Sequence, residues 1–160
     1  MIRKVEIEDA EAITAIYNYY IENTIITFEE ELVSVEEMAT RIGSISSHYP
    51  YLVFEDNGMV VGYAYASRWK ARSAYRFSAE VTIYLHHELK GKGVGSNLFQ
   101  AFLNEMRKTE LHSLVGGIAL PNDASVALHE KFGFTKIAHF EEIGFKFGRW
   151  IDVGYWELKF

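Results

Sequence analysis

Residues 77–106 read FSAEVTIYLHHELKGKGVGSNLFQAFLNEM, and this stretch decides the architecture. From Phe77 to Leu85 the chain is strand-like, and it runs into a turn carrying Gly91, Gly93 and Gly95. From Gly95 onward, Leu98, Phe99, Phe102, Leu103 and Met106 recur at helical spacing. A strand feeding a helix through such a turn belongs to an α/β sheet. Glycines let the backbone bend sharply and approach a ligand closely. Free amides at a helix start carry the positive end of its dipole, and Lys90 and Lys92 add charge there, so the turn suits a phosphate. The residues alone equally permit a plain strand-to-helix turn with two solvated lysines.

Two nucleotide readings of the turn fail. A Walker A loop needs Gly-x-x-x-x-Gly-Lys followed by Ser or Thr, and the chain has none. A dinucleotide fingerprint needs a third Gly or Ala, whereas Gly93 and Gly95 are followed by Leu98 in the middle of the chain.

The remaining elements follow outward from this unit. Ile2 to Ile7 alternates as a strand. Asp9 is an N-cap for a helix with Ile13, Ile16, Tyr17, Tyr20 and Ile21 on one face. Ser34 and Glu37 form a capping-box pattern ahead of Met38, Ile42 and Ile45. Tyr51–Glu55 and Met59–Ser67 flank Asp56-Asn57-Gly58, a hairpin signal. Leu114–Ala119 is a short strand, and Asn122 or Asp123 caps a helix that Gly133 stops. Thr135–Phe145 and Trp150–Leu158 close the chain as two strands joined through Gly148. The expected fold is one α/β domain over residues 1–160, with a central mixed twisted sheet flanked by helices.

Composition supports this. The chain has 160 residues, 49% hydrophobic and 15% aromatic, enough for a packed core at one-domain length. Only 2 Pro and 12 Gly occur, which argues against disorder. With no Cys, disulfides, thiolate metal sites and a Cys nucleophile are excluded. A net charge of -6 speaks against nucleic-acid or anionic-membrane binding. No apolar run reaches the ~18 residues of a membrane span, and no apolar core of signal-peptide length follows Met1. A cytoplasmic protein without membrane or nucleic-acid partners is expected.

Lys90-Gly91-Lys92-Gly93-Val94-Gly95 between strand and helix resembles the acetyl-coenzyme A pyrophosphate loop of the GCN5-related N-acetyltransferase (GNAT) superfamily. Lys90 stands where that family has Gln or Arg, which keeps the charge but loses the guanidinium fork. A second block, Leu120-Pro121-Asn122-Asp123-Ala124-Ser125-Val126-Ala127-Leu128-His129-Glu130-Lys131-Phe132-Gly133-Phe134, is similar to the family's second coenzyme segment. Thr27-Phe28, Trp69 to Tyr75, and Gly144 to Trp156 resemble its phosphinothricin N-acetyltransferase branch. The likeness spans nearly the whole chain.

The resemblance implies an acyl-CoA N-acyltransferase fold with acetyl-CoA as co-substrate and no metal. It implies main-chain groups of Ile83, Tyr84 and Leu85 along the pantetheine arm, with the amide near Leu85 as oxyanion donor. Lys90, Gly91, Lys92, Gly93, Val94, Gly95 and Ser96 would hold the pyrophosphate, assisted by Asn122, Ser125 and Lys131. Glu80 takes the general-base position by this resemblance; on residues alone, a Glu between Ala79 and Val81 is better read as a solvent-facing or ion-paired carboxylate. His129 takes a proton-transfer position, as acid to the thiolate or as second base, and a helical His is otherwise commonly structural. Phe28, Trp69, Lys70, Arg72 and Tyr75 are the expected amine-site residues, since cations beside aromatics suit a carboxylate or phosphinate. Trp150, Tyr155 and Trp156 are expected in the core or an interface.

Adjacent His86 and His87 should point to opposite faces, which argues against a metal site with Glu88. The resemblance implies N-acetylation of a small amino-acid-like amine such as phosphinothricin, methionine sulfoximine or methionine sulfone, by a homodimer. The alternatives are another amine (a polyamine, an aminoglycoside or a protein N-terminus) and a non-catalytic acyl-CoA-binding module.

Overall fold

The computed structural model describes residues 1–89 and 91–160, and among them lie seven strands and four helices. In chain order they are β1 (Ile2–Lys4), α1 (Ala10–Asn23), α2 (Val35–Ser46), β2 (Tyr51–Asp56), β3 (Met59–Arg68), β4 (Ser78–Leu85), α3 (Val94–Met106), β5 (Ser113–Ala119), α4 (Asp123–Lys131), β6 (Thr135–Lys146) and β7 (Arg149–Lys159). The order matches the expected one, with two added 3-10 turns at Ile7–Asp9 and Ser73–Tyr75. No described helix is long and apolar enough to cross a membrane.

The strands form one sheet in the order β1-β2-β3-β4-β5-β7-β6. Each neighbouring pair is antiparallel except β4 and β5, which run parallel around the α3 crossover. The mixed sheet was thus legible in the strand and helix order. At the β2–β3 turn, Asn57 (φ 51°) and Gly58 (φ 79°) both occupy the left-handed region that tight hairpins require.

Local departures have local causes. β1 ends at Lys4 instead of Ile7, because Asp9 draws the chain into a 3-10 turn. Its carboxylate accepts both terminal nitrogens of the Arg3 guanidinium at 2.8 Å and the Glu6 amide at 2.8 Å. So occupied, Asp9 makes no side-chain cap to α1, and the Arg3 pair holds its carboxyl below the usual carboxylate range against the upward pull of burial. Ser34 does cap α2, accepting the Glu37 amide at 3.1 Å. Glu37 does not complete the box, since its side chain takes Arg41 instead.

The two faces of the sheet carry separate cores. α1 and α2 bury Ile13, Ile16, Ile21, Met38 and Ile42 against Tyr51, Val53 and Tyr63. On the other face α3 buries Leu98, Phe99, Phe102, Leu103 and Met106 against Ala64, Ala66, Ala79, Val81 and Leu114, with Phe134 and Trp156 closing the layer. Phe102 is fully buried, so Phe102→Ala should cost about 3–5 kcal/mol, read as a lower urea midpoint at unchanged slope. A loss below about 1 kcal/mol would contradict the packing of α3.

Candidate active site

β4 and β5 stay paired only over Ser78–Ser113, Ala79–Leu114 and Glu80–Val115. Beyond that point β4 continues to Leu85 beside β3, and β5 continues to Ala119 beside β7. The strands part, and a wedge opens through the middle of the sheet. The His86 amide bonds the Val61 carbonyl at 2.8 Å. By antiparallel alternation, Tyr84 also faces β3, while the main-chain groups of Ile83 and Leu85 face the wedge. Of the three residues expected to offer main-chain groups there, Tyr84 therefore does not. It spends them on the β3 ladder, and its ring packs against Tyr17, Tyr20 and Tyr63. The Leu85 carbonyl is taken by the Tyr20 hydroxyl at 2.6 Å, which leaves its amide.

Two adjoining cavities occupy the wedge. The larger, about 710 Å³, runs from Tyr19, Tyr20 and Ile26 past Ile83 and Leu85 to Gly93, Ser96, Ser125 and Lys131. The smaller, about 400 Å³, is lined by Phe28, Glu80, Thr82, Gly117, His129, Ile143 and Tyr155 among others. Ile83, Tyr84, Asn122 and Ser125 line both.

Glu80 and His129 reach the smaller cavity from opposite faces of the sheet. A Cβ at Gly117 would lie 3.4 Å from the Glu80 carboxylate, and one at Gly116 would lie 2.7 Å from His129 Nε2. Consecutive glycines in β5 thus keep both side chains within reach of the wedge. Glu80 has no hydrogen-bond partner among the described residues. Burial pushes its pKa above the ordinary carboxylate value, and the Lys70 charge opposes that rise. His129 is 4% exposed and lies against Phe99 and Phe134. Its Nδ1 donates to the Ser125 carbonyl at 2.7 Å, which fixes the tautomer and leaves the Nε2 lone pair free. Burial lowers its pKa, so the ring is neutral near pH 7.

The Gly-rich turn borders the larger cavity. Gly91 and Gly93 are left-handed, with φ of 72° and 71°, a conformation that side chains resist. Gly93 is the cap of α3 and carries no capping side chain, so the first-turn amides of Val94, Gly95 and Ser96 are open to an anion. Gly91 and Lys92 are exposed, and Lys90 lies outside the described residues. Lys131 donates to Ser96 Oγ at 2.9 Å and ties the end of α4 to the start of α3. Asn122 caps α4 through the Ser125 amide at 3.2 Å. This cradle fits a pyrophosphate.

The expected amine-site residues divide. Phe28 lines the smaller cavity. Trp69 packs edge-on against Tyr155 at 5.7 Å, with the Lys70 ammonium 5.0 Å from its ring centre. Lys70, Arg72 and Tyr75 are exposed, and neither they nor Trp69 line either cavity of the single chain. Tyr155 is not the core or interface residue expected, because β7 turns it toward Glu80. Trp156 does enter the core at 2% exposure, while Trp150 stands 62% exposed. His86 and His87 do not diverge. β4 ends at Leu85, strand alternation no longer applies, and the rings stack at 4.6 Å.

Residues 2–154 match the family model for the acetyltransferase (GNAT) domain, and the chain belongs to that family. It is an N-acetyltransferase that uses acetyl-CoA as acetyl donor. It is 39% identical over 159 residues to a phosphinothricin N-acetyltransferase of Streptomyces viridochromogenes, covering 99% of this chain and 87% of that one. It is 35% identical to an L-methionine sulfoximine/L-methionine sulfone acetyltransferase of Salmonella typhimurium, covering 99% and 93%. Among solved structures, a GNAT superfamily phosphinothricin acetyltransferase from Sinorhizobium meliloti, in complex with acetyl-CoA, superposes with a TM-score of 0.95 at 35% identity, covering 99% and 87%.

The raised pKa of Glu80 has a consequence for stability. The folded chain holds this proton more tightly than the unfolded one, so stability falls as pH rises from the unfolded value of about 4.3 through the folded value. Glu80→Gln removes this loss. The variant should melt at a higher temperature than wild type at pH 7, with the gap closing below about pH 4. A Glu80→Gln protein less heat-stable than wild type at pH 7 would show that Glu80 is stabilised in place rather than strained by burial.

Proposed function

We propose that the chain acetylates the amine of a small amino-acid-like substrate, of the phosphinothricin, methionine sulfoximine or methionine sulfone type, with Glu80 as general base. The observation that carries this reading is a partly buried carboxylate without a described hydrogen-bond partner, in a small cavity that opens onto the cradle for the acetyl donor. An α-amine is mostly protonated near pH 7, and only its neutral form has a lone pair for the thioester carbon. A carboxylate whose pKa is raised accepts that proton, directly or through water, more readily than an exposed one. As the new C–N bond forms and the C–S bond breaks, the Leu85 amide donates to the carbonyl oxygen, and the coenzyme leaves as a thiolate that takes up the proton the nitrogen sheds. Neutral His129, with Nε2 free, is suited to receive a proton in this cavity rather than to supply one.

Gly91 to Ser96 hold the pyrophosphate of the donor, with Ile83 and Leu85 along its arm and Asn122, Ser125 and Lys131 on the α4 side. A cytoplasmic location accompanies the use of this donor. A cavity of about 400 Å³ is at the small-ligand end of the usual range. Lys70 beside Glu80 opposes a polyamine or aminoglycoside and favours a substrate with its own anionic group.

A panel of amines with acetyl-CoA, followed by release of free thiol, tests the reading. The amino-acid analogues should be turned over faster than spermidine, an aminoglycoside or an alanine N-terminal peptide. With the best amine, Glu80→Gln should lower turnover by at least about 10²-fold near pH 7, less at higher pH, with calorimetric affinity for acetyl-CoA unchanged. A polyamine or peptide as best substrate, or wild-type turnover in Glu80→Gln, would overturn it.

The homodimer is part of the same proposal. β6 is an edge strand, and Ile137, Phe145, Phe147 and Trp150 on the β6–β7 hairpin are each more than half exposed. Such an edge invites pairing with a second copy. Light scattering after gel filtration should give twice the chain mass, and Trp150→Glu should shift it toward the monomer; a monomeric wild type would refute this.

A further inference from the structure

Lys146 is a buried cation that the proposed chemistry does not use. It is 2% exposed, and no described carboxylate lies within ion-pair distance of it. Its Nζ donates to the Thr27 carbonyl at 2.8 Å and sits 5.0 Å from the centre of the Phe147 ring. Burying an ammonium on one neutral acceptor is unfavourable, and an apolar chain of the same length would fill the space at less cost. The group therefore needs a reason beyond packing.

Two residues earlier in β6, Gly144 is also buried. A Cβ there would run into the Phe28 ring, so the ring lies directly across the bare backbone. From the other side, the Thr27 hydroxyl meets the Tyr17 hydroxyl at 2.8 Å. Glu29 receives Tyr17 and both terminal nitrogens of Arg41, the latter at 2.8 and 2.7 Å. Residues 27–29 are thus gripped between the helices and β6, and Phe28 sits at the middle of the grip, on the wall of the Glu80 cavity.

We propose that Lys146 is a positioning residue for the amine site: it holds Thr27 so that Phe28 lies across Gly144 and closes the cavity of Glu80, and this sets the affinity for the amine. The inference rests on the reading of that cavity as the amine site. Lys146 touches neither cavity. It acts through the Thr27 carbonyl, and Gly144 supplies the room that lets it act.

The test measures steady-state kinetics with whichever amine the wild-type enzyme turns over fastest. A failure of the substrate reading therefore shows in the wild type, and a failure of this inference only in the variants. Lys146→Met keeps the bulk and removes the donor. It should raise KM for the amine about tenfold, the scale of one lost charge-assisted hydrogen bond, with kcat changed far less and acetyl-CoA affinity unaltered. Gly144→Ala, which displaces the ring from below, should act in the same direction and carries the test should Lys146→Met not fold. In a Phe28→Ala background neither substitution should raise KM further, because the ring they place is gone. An unchanged KM in the single variants, or a KM increase that persists in full without Phe28, overturns the proposal.

Discussion

Three residue pairs, Ser78–Ser113, Ala79–Leu114 and Glu80–Val115, make the only parallel pairing among the described residues, and the site depends on where they stop. Had the register continued to Leu85, β4 and β5 would have sealed the sheet. The amides of Ile83 and Leu85 would have been spent on a neighbour, and Glu80 would have been separated from His129 by a continuous layer. Because the strands part after Glu80, one cavity is lined from both faces of the sheet. The backbone left unpaired there is the feature that a polar, extended donor can satisfy.

The small residues along the wedge serve that geometry. Gly116 and Gly117 leave space for His129 on one face and Glu80 on the other. The price of the arrangement is local. Glu80 gives up solvent without gaining a described partner, while Asp9, buried elsewhere in the chain, has Arg3 to hold it ionised. The contrast separates a carboxylate that builds the fold from one held ready to change its protonation state.

The sequence made much of this legible, and the limits are physical. Helical periodicity placed α1, α2 and α3, and the turn chemistry of Asn57-Gly58 placed the β2–β3 hairpin, because these signals are local. The length of β1 escaped because Asp9, which reads as a cap, is drawn instead to Arg3 across a turn. Glu80 and His129 stood out as polar residues in elements that favour apolar ones, yet nothing local says that a gap between strands connects them. Gly116-Gly117 in the middle of β5 is the visible signal of that gap, since paired glycines in a strand mark a close approach. Tyr155 and Lys146 could not be read this way. Their settings come from the β7 register and from a loop more than a hundred positions away in sequence.

The parting of the strands also divides the molecule mechanically. β1 to β4 close their ladders among themselves, and so do β5 to β7. Between the two blocks, the backbone bonds of the sheet amount to a short suture, backed by the packing of α3 and α4. Sub-global opening tends to follow such lines of few bonds. An occupant that hydrogen-bonds along the exposed edge of β4 behaves as a removable strand, and its arrival extends the suture. Amide exchange at Ile83 and Leu85 would then slow on binding, even with no loop having moved.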